Sequence, residues 1–410
     1  MGSQSQGEGD ELPGCGNHFE TARLGVFATP GSPQALAIPN FQLQNPGSMK
    51  HLWIERIWQR RGLFNKVLWL LCLPASFGFL LLTEVRNFCY SRGWISSRAL
   101  GRPVISVGNL TVGGTGKTPT ALWLAQKFAV RGLKVGILSR GYKRLETGPV
   151  ILGLEKREGA AGSDGFDPAA AGDEPAMMAR IYGQTVSVYK DRFCAGQELL
   201  ARRDVDVFVL DDGFQHRRLK RDAELLLLGE GARGNVLPAG PFRESKRSLQ
   251  RADFLLITGA EERWRLRIQK LGGGPCFRGG LQATMLIACE KNHWREYPLN
   301  LMSRSKVLAV TGIADPSRLY QTIHEWEGEV VNALEFPDHH RYTVGDWQRI
   351  NREARNLDLI ITTEKDILKL VRFPFAREKL FAVRVAMVIE NEETLIDGLL
   401  EKVRRMGWRL

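Results

Sequence analysis

The chain has 410 residues, enough for two or three domains that each bury a core. Apolar residues make up 43% and charged residues 25%, which excludes a wholly disordered or fibrous chain. A formal net charge of +12 favours anionic partners such as nucleotides, phospholipid headgroups or nucleic acid, and fits a merely soluble basic surface equally well. The six cysteines contain no C-x-x-C pair and the seven histidines no H-E-x-x-H. A disulfide framework, or a metal held by protein ligands alone, is therefore not expected.

Residues 1–48 are rich in Gly, Ser, Pro and Gln without periodicity and read as a disordered leader. No basic stretch leads into an apolar one there, so it is not a signal peptide. Met49 directly precedes the first ordered-looking segment, which suggests translation from that residue. The segment 49–100 reads as membrane-associated helices. Trp53, Ile54, Ile57 and Trp58 share one helical face, and an apolar run follows over 67–83, broken by Pro74. As a helix that run reaches about 25 Å, short of the roughly 30 Å hydrocarbon core. Arginines flank it on both sides, so charge gives no orientation. A helix lying in the membrane interface fits best, ahead of a single span and of a buried core helix.

An α/β pattern follows. Short apolar runs at 104–107, 135–138, 205–210, 225–228 and 254–257 alternate with helical stretches, as in a parallel sheet covered on both faces. The first domain spans 101–272, and a Gly-rich, then β-like, linker covers 273–301. A second, smaller α/β domain runs over 302–410, with strands at 306–311, 357–362 and 380–385.

The strongest signal is VISVGNLTVGGTGKT (104–118): strand, glycine-rich turn, Lys117, Thr118, then helix. Glycines let successive N–H groups point at phosphate oxygens, and the helix N-terminus adds its positive end. Gly108, Asn109, Thr111, Val112, Gly113, Gly114, Thr115, Gly116, Lys117 and Thr118 form the candidate ATP site. Lys117 is the γ-phosphate contact and Thr118 a Mg²⁺ ligand. Thr111 stands where the strict motif asks for glycine. The run 207–210 ends in Asp211 and Asp212, which would face the ligand crevice and hold the metal. No N-K-x-D guanine motif occurs, and Val112 stands where a partition ATPase has its signature lysine. A kinase or an unspecialised ATPase remains.

Several segments together resemble the tetraacyldisaccharide 4′-kinase family. They are VGNLTVGGTGKTP (107–119), SRGYKR (139–144), GDEPAMMA (172–179), DDGFQHRRLKRD (211–222), LPAGPFRE (237–244), VTGIADPSRL (310–319), FPDHHRYT (336–343) and TTEKD (362–366). They recur in the family's order, and the family loop also carries Ser or Thr at the position of Thr111. The resemblance implies transfer of the ATP γ-phosphate to the 4′-hydroxyl of a lipid A disaccharide 1-phosphate at the cytoplasmic face of the inner membrane. It also implies two α/β domains around a cleft and Asp173 with His339 as a base dyad. A histidine near Pro and Asp is otherwise an ordinary satisfied turn residue. Glu174 and Glu244 are further candidate metal ligands, and Arg140, Tyr142 and Gln215 candidate substrate contacts. Two rivals are a membrane-attached P-loop ATPase that positions partner proteins and a nucleotide-binding scaffold without catalysis. A nucleic-acid binder is disfavoured, because no basic stripe is interleaved with aromatics.

Overall fold

The computed structural model describes the chain except residues 1–53, 55, 61, 142–143, 145–147, 154–170, 231–233, 292 and 376–378. The expected leader, Met49 and Tyr142 lie outside the described residues. Helix α1 (Leu63–Ser91) opens the described elements, carrying Pro74 inside it without interruption. Strand β1 (Val104–Asn109), helix α2 (Lys117–Val130) and strand β2 (Val135–Ser139) form the first α/β unit. Then come β3 (Val150–Leu152), α3 (Asp173–Arg180), β4 (Val186–Val188), α4 (Arg192–Leu200), β5 (Val207–Asp211) and β6 (Ala223–Leu228). Strand β7 (Phe254–Ile257), α5 (Glu261–Leu271) and the long β8 (Cys276–Glu290) complete that half. The rest is β9 (His293–Tyr297), β10 (Lys306–Thr311), α6 (Ser317–Glu325), β11 (Glu329–Glu335), α7 (Val344–Glu353), β12 (Leu359–Thr363), α8 (Glu364–Leu370), β13 (Leu380–Ile389) and α9 (Glu392–Arg405).

Among the described residues the strands form one sheet in the order β11-β10-β12-β13-β8-β7-β6-β1-β5-β2-β4-β3, with β9 on β8. Strands β1, β5 and β6 are buried along their whole length, which is why they read as unbroken apolar runs. The strands absent from the sequence reading are β3, β4, β9 and β11: two three-residue strands, and two with a partner on one side only and a polar face. Strand β8 explains the β-like stretch of the expected linker. Its Cys276–Arg278 end pairs parallel with β7, and the stretch from Gly279 to Ile287 pairs antiparallel with β13. One strand thus serves both halves of the sheet.

Helix α9, which the sequence puts with the 302–410 domain, packs on the first half. Its Leu395, Ile396, Leu399, Leu400 and Val403 share a core cluster with Ile105, Val107, Leu124 and Leu225. Beyond it the Trp408 indole N–H donates to Asp222 Oδ1 (3.0 Å), while Asp222 Oδ2 accepts from the Val104 amide (2.9 Å).

Helix α1 is 29 residues long, about 44 Å at 1.5 Å per residue, so it continues well beyond the expected apolar run. One face is fastened to the protein. Trp69 Nε1 donates to the Ala239 carbonyl (2.9 Å), and Ser76 Oγ donates to the Val236 carbonyl (3.1 Å) and accepts from the Ala239 amide (2.8 Å). The opposite face exposes Leu70, Leu71, Phe77, Leu81, Leu82 and Val85.

Candidate active site

The turn between β1 and α2 is held open from behind. The Val112 amide donates to the Pro241 carbonyl (2.8 Å), and the Arg243 amide donates to the Leu110 carbonyl (2.8 Å). The LPAGPFRE segment and Val236 just before it therefore grip α1 with residues 236–239 and the loop with residues 241–243. Gly113 and Gly116 adopt φ of 105° and 83°, in the left-handed region that only glycine enters cheaply. A Cβ on Gly113 or Gly114 would meet nothing within 4 Å, so this stretch of backbone faces open space. Gly108 differs: a Cβ there would lie 2.6 Å from Phe214 Cβ, so its role is close packing beneath the loop. Asn109 Nδ2 donates to Thr115 Oγ1 (2.8 Å) and stiffens the turn from within.

Lys117 and Thr118 open α2. Lys117 Nζ lies 3.8 Å from Asp212 Oδ1 and 3.4 Å from the Gly113 carbonyl. Burial draws the Lys117 pKa below its ordinary value; Asp212 opposes that and Arg243 adds to it. Arg243 Nη1 sits 3.1 Å from both oxygens of Asp212. Burial pushes the Asp212 carboxyl up, but Lys117 and Arg243 outweigh it and hold the group below the usual range. Asp211, one residue earlier, is the opposite case. Its pKa is raised to about 7 by burial, then by the charges of Glu174 and Asp212. Thr118 Oγ1 reaches Glu174 Oε2 at 3.0 Å and Asp211 Oδ2 at 3.2 Å. One hydroxyl proton cannot serve both carboxylates at once.

Glu174 and Asp173 form the first turn of α3, where acidic side chains suit the helix N-terminus. Across the sheet, α8 presents Lys365 and Lys369 one turn apart. Lys365 pairs with Glu174, and Lys369 Nζ donates to Asp173 Oδ2 (3.0 Å). His339 Nδ1 lies 3.0 Å from the same Asp173 oxygen. Burial raises the Asp173 pKa, but His339 and Lys369 outweigh it and bring it to about 2. Residues 166 apart in sequence, Asp173 and His339, thus form a bonded pair beside Thr118 and Lys117.

The family described as tetraacyldisaccharide-1-P 4′-kinase matches residues 68–404. A tetraacyldisaccharide 4′-kinase from Chromobacterium violaceum is 38% identical over 327 residues, covering 78% of this chain and 88% of its own length. One from Actinobacillus succinogenes is 34% identical over 347 residues, covering 83% of this chain and 96% of its own. The crystal structure of the apo form of LpxK from Aquifex aeolicus in complex with ATP aligns with a TM-score of 0.65 and 31% identity, over 81% of this chain and 98% of that one. The chain belongs to the tetraacyldisaccharide 4′-kinase family. It is a phosphotransferase with a P-loop.

Several side chains stand apart from their expected places. Glu244, expected with the metal ligands, is fully buried under α1 with both oxygens occupied. Arg86 Nη2 is 2.8 Å from Oε1, while Asn87, Ser248 and Arg251 reach Oε2 at 3.0, 3.0 and 2.7 Å. Gln215, expected against substrate, donates from Nε2 to the Asn109 carbonyl (2.9 Å) and lies 3.4 Å from Arg243 Nη1, so it braces the loop. Arg140 is exposed just past β2. Arg243, Lys365 and Lys369 were not singled out from the sequence. Arg243 adjoins Glu244 inside LPAGPFRE and Lys365 lies inside TTEKD, so motif membership was the available signal. Arg192 was missed too; buried at the start of α4 near both aspartates, its pKa falls to about 10 through burial, then Arg140.

Proposed function

We propose that the protein transfers the γ-phosphoryl group of ATP to the 4′-hydroxyl of a tetraacyldisaccharide 1-phosphate, yielding a bis-phosphorylated glycolipid, lipid IVA. The observation that carries this is the Asp173–His339 pair standing beside the lysine and threonine of the phosphate loop. A P-loop ATPase needs no such pair. In the reaction the acceptor oxygen bonds to the γ-phosphorus, the bond to the β–γ bridging oxygen breaks, and ADP leaves. Phosphoryl transfer passes through a loose transition state, so positioning and charge neutralisation dominate. Lys117 and Arg243 supply positive charge where the outer phosphates would lie. Asp173, ionised at any working pH, orients the acceptor hydroxyl and takes its proton late, with His339 holding the carboxylate.

Thr118, Asp211 and Glu174 would hold Mg²⁺. A cation would favour the ionised form of Asp211, which burial and the charges of Glu174 and Asp212 disfavour, and a hydroxyl with carboxylates suits a hard ion that keeps water and phosphate ligands. When bound, Mg²⁺ neutralises phosphate oxygens. Arg140 and Tyr142 would grip the anionic acceptor, and Gln215 keeps the loop in shape.

The two α/β halves, 101–272 and 302–410, bracket the site in this reading, with 273–301 joining them. Helix α1 would lie in the cytoplasmic leaflet of the inner membrane without crossing it, because its bonds to 236–239 tie one face to the protein body. A groove of about 480 Å³ beside it, lined by Leu73, Phe77, Leu80, Val236 and Phe242, has the character to take an acyl chain. The test is incubation of detergent-solubilised protein with γ-labelled ATP, Mg²⁺ and the disaccharide 1-phosphate. Label in a bis-phosphorylated glycolipid supports the reading. Label released only as inorganic phosphate would favour the ATPase instead.

A further inference from the structure

Lys369 is almost wholly buried, its side chain 9% exposed, and Asp366 on the same helix is completely buried. Buried ion pairs often stabilise a fold no better than apolar residues of similar size would, so their presence calls for another explanation. The bonds supply one. Lys369 Nζ lies 3.0 Å from Asp173 Oδ2 and 3.3 Å from Asp366 Oδ1. Asp366 Oδ2 accepts from the Gly312 amide (2.9 Å) and from Thr363 Oγ1 (2.8 Å). The Gly312 carbonyl in turn accepts from the His339 amide (3.1 Å). A single carboxylate is therefore tied to Asp173 through a lysine and to His339 through the backbone of one glycine.

The surroundings leave this arrangement little freedom. His339 has φ of 64°, a left-handed conformation that is unfavourable for a non-glycine residue and persists only when its neighbours fix it. A Cβ on Gly312 would sit 2.9 Å from Asp366 Oδ1 and 3.2 Å from the Tyr342 hydroxyl, so only glycine fits there. His340 stacks on Phe336 at 4.7 Å and meets Tyr342 edge-on at 5.1 Å, closing the far side of the turn.

We infer that Lys369 and Asp366 are positioning residues that set the Asp173 carboxylate and the His339 imidazole in register across the two halves of the sheet. The inference rests on the kinase reading for its catalytic consequence and on the bond network alone for its structural one. Neither residue touches the reacting atoms. Both Lys369 and His339 bind Oδ2, so in the kinase reading Oδ1 would serve the acceptor, and a displacement of about 1 Å costs roughly 10²-fold in rate.

The deciding variants are Lys369→Met, which keeps the length and removes the charge, and Lys369→Arg, which keeps the charge. Lys369→Met should lower kcat about 10–100-fold while the KM for ATP moves less than about 3-fold, and Lys369→Arg should recover part of the loss. In an Asp173→Asn background the Lys369→Met change should cost less than about 3-fold more, because the lysine acts through that carboxylate. Wild-type turnover in Lys369→Met, or full multiplicative loss in the double variant, would overturn the inference. A readout without any acceptor runs in parallel: the His339 ring resonances in ¹⁵N-histidine-labelled protein, assigned with His339→Gln. They should shift or broaden in Lys369→Met and return in Lys369→Arg. Unchanged resonances would also overturn it, even if wild-type protein phosphorylated no lipid and the kinase reading itself fell.

Discussion

Two adjacent carboxylates in this site behave oppositely because their neighbours differ. Asp212 faces Lys117 and Arg243 and stays ionised; Asp211 faces Glu174 and holds its proton up to about 7. The folded protein therefore binds more protons at Asp211 than the unfolded chain does, from near the ordinary value of 3.8 up to about 7. By linkage, the stability this group contributes is complete below that range and is lost as pH rises through it. Asp211→Asn should accordingly raise the melting temperature of nucleotide-free protein at pH 8, by ~2 °C or more, and leave it nearly unchanged at pH 4. Thermal scans at both values check this, and a rise at both would mean that ionisation is not the cause. Lys117→Ala should abolish phosphate transfer to lipid while circular dichroism and the melting transition stay close to wild type. Its ammonium meets the Gly113 carbonyl and the Asp212 carboxylate.

At the level of elements, α1 and the 236–251 segment depend on each other through Glu244. Removing that carboxylate leaves Arg86 and Arg251 facing each other with no anion between them, and breaking a buried ion pair in this way costs about 3–5 kcal/mol. Glu244→Ala should therefore lower the denaturant midpoint sharply. The ATP affinity of the folded fraction should fall little; a metal ligand would show the reverse pattern. The outer face of α1 has a separate role. Replacing Leu70, Leu71, Phe77 and Leu81 by serine removes side chains that each contribute about 1.5–3 kcal/mol when fully buried. That variant should stop cosedimenting with anionic vesicles and still bind ATP. The sequence disclosed the apolar character of this helix but not its length, because Pro74 reads as a breaker and only the packed structure shows it accommodated. Glu244 misled for a related reason. An acid next to an arginine in a glycine-proline segment looks like a ligand, and only the three-dimensional path of α1 brings Arg86 and Asn87 onto it.

Across the whole molecule, what the sequence disclosed was local: buried strands, the phosphate loop, the pair of acids ending β5. The juxtaposition of Asp173 with His339 was reachable only through family resemblance, since no spacing rule links residues on α3 and on the turn after β11. Lys369 was illegible for the same reason and Lys365 visible only as a member of TTEKD, their partners lying on another helix nearly two hundred residues away. The continuity of the sheet through β8 also went unseen, because a strand that changes partner midway leaves no periodic trace. Helix α9 went unplaced too, since an amphipathic stretch does not say which sheet it will cover. That placement has a consequence for where damage to α9 is felt. Leu395, Ile396, Leu399, Leu400 and Val403 join residues of β1, α2 and β6 in one apolar cluster. Polar substitutions along that face would therefore loosen the nucleotide half, far back in the sequence, before the half that α9 directly follows.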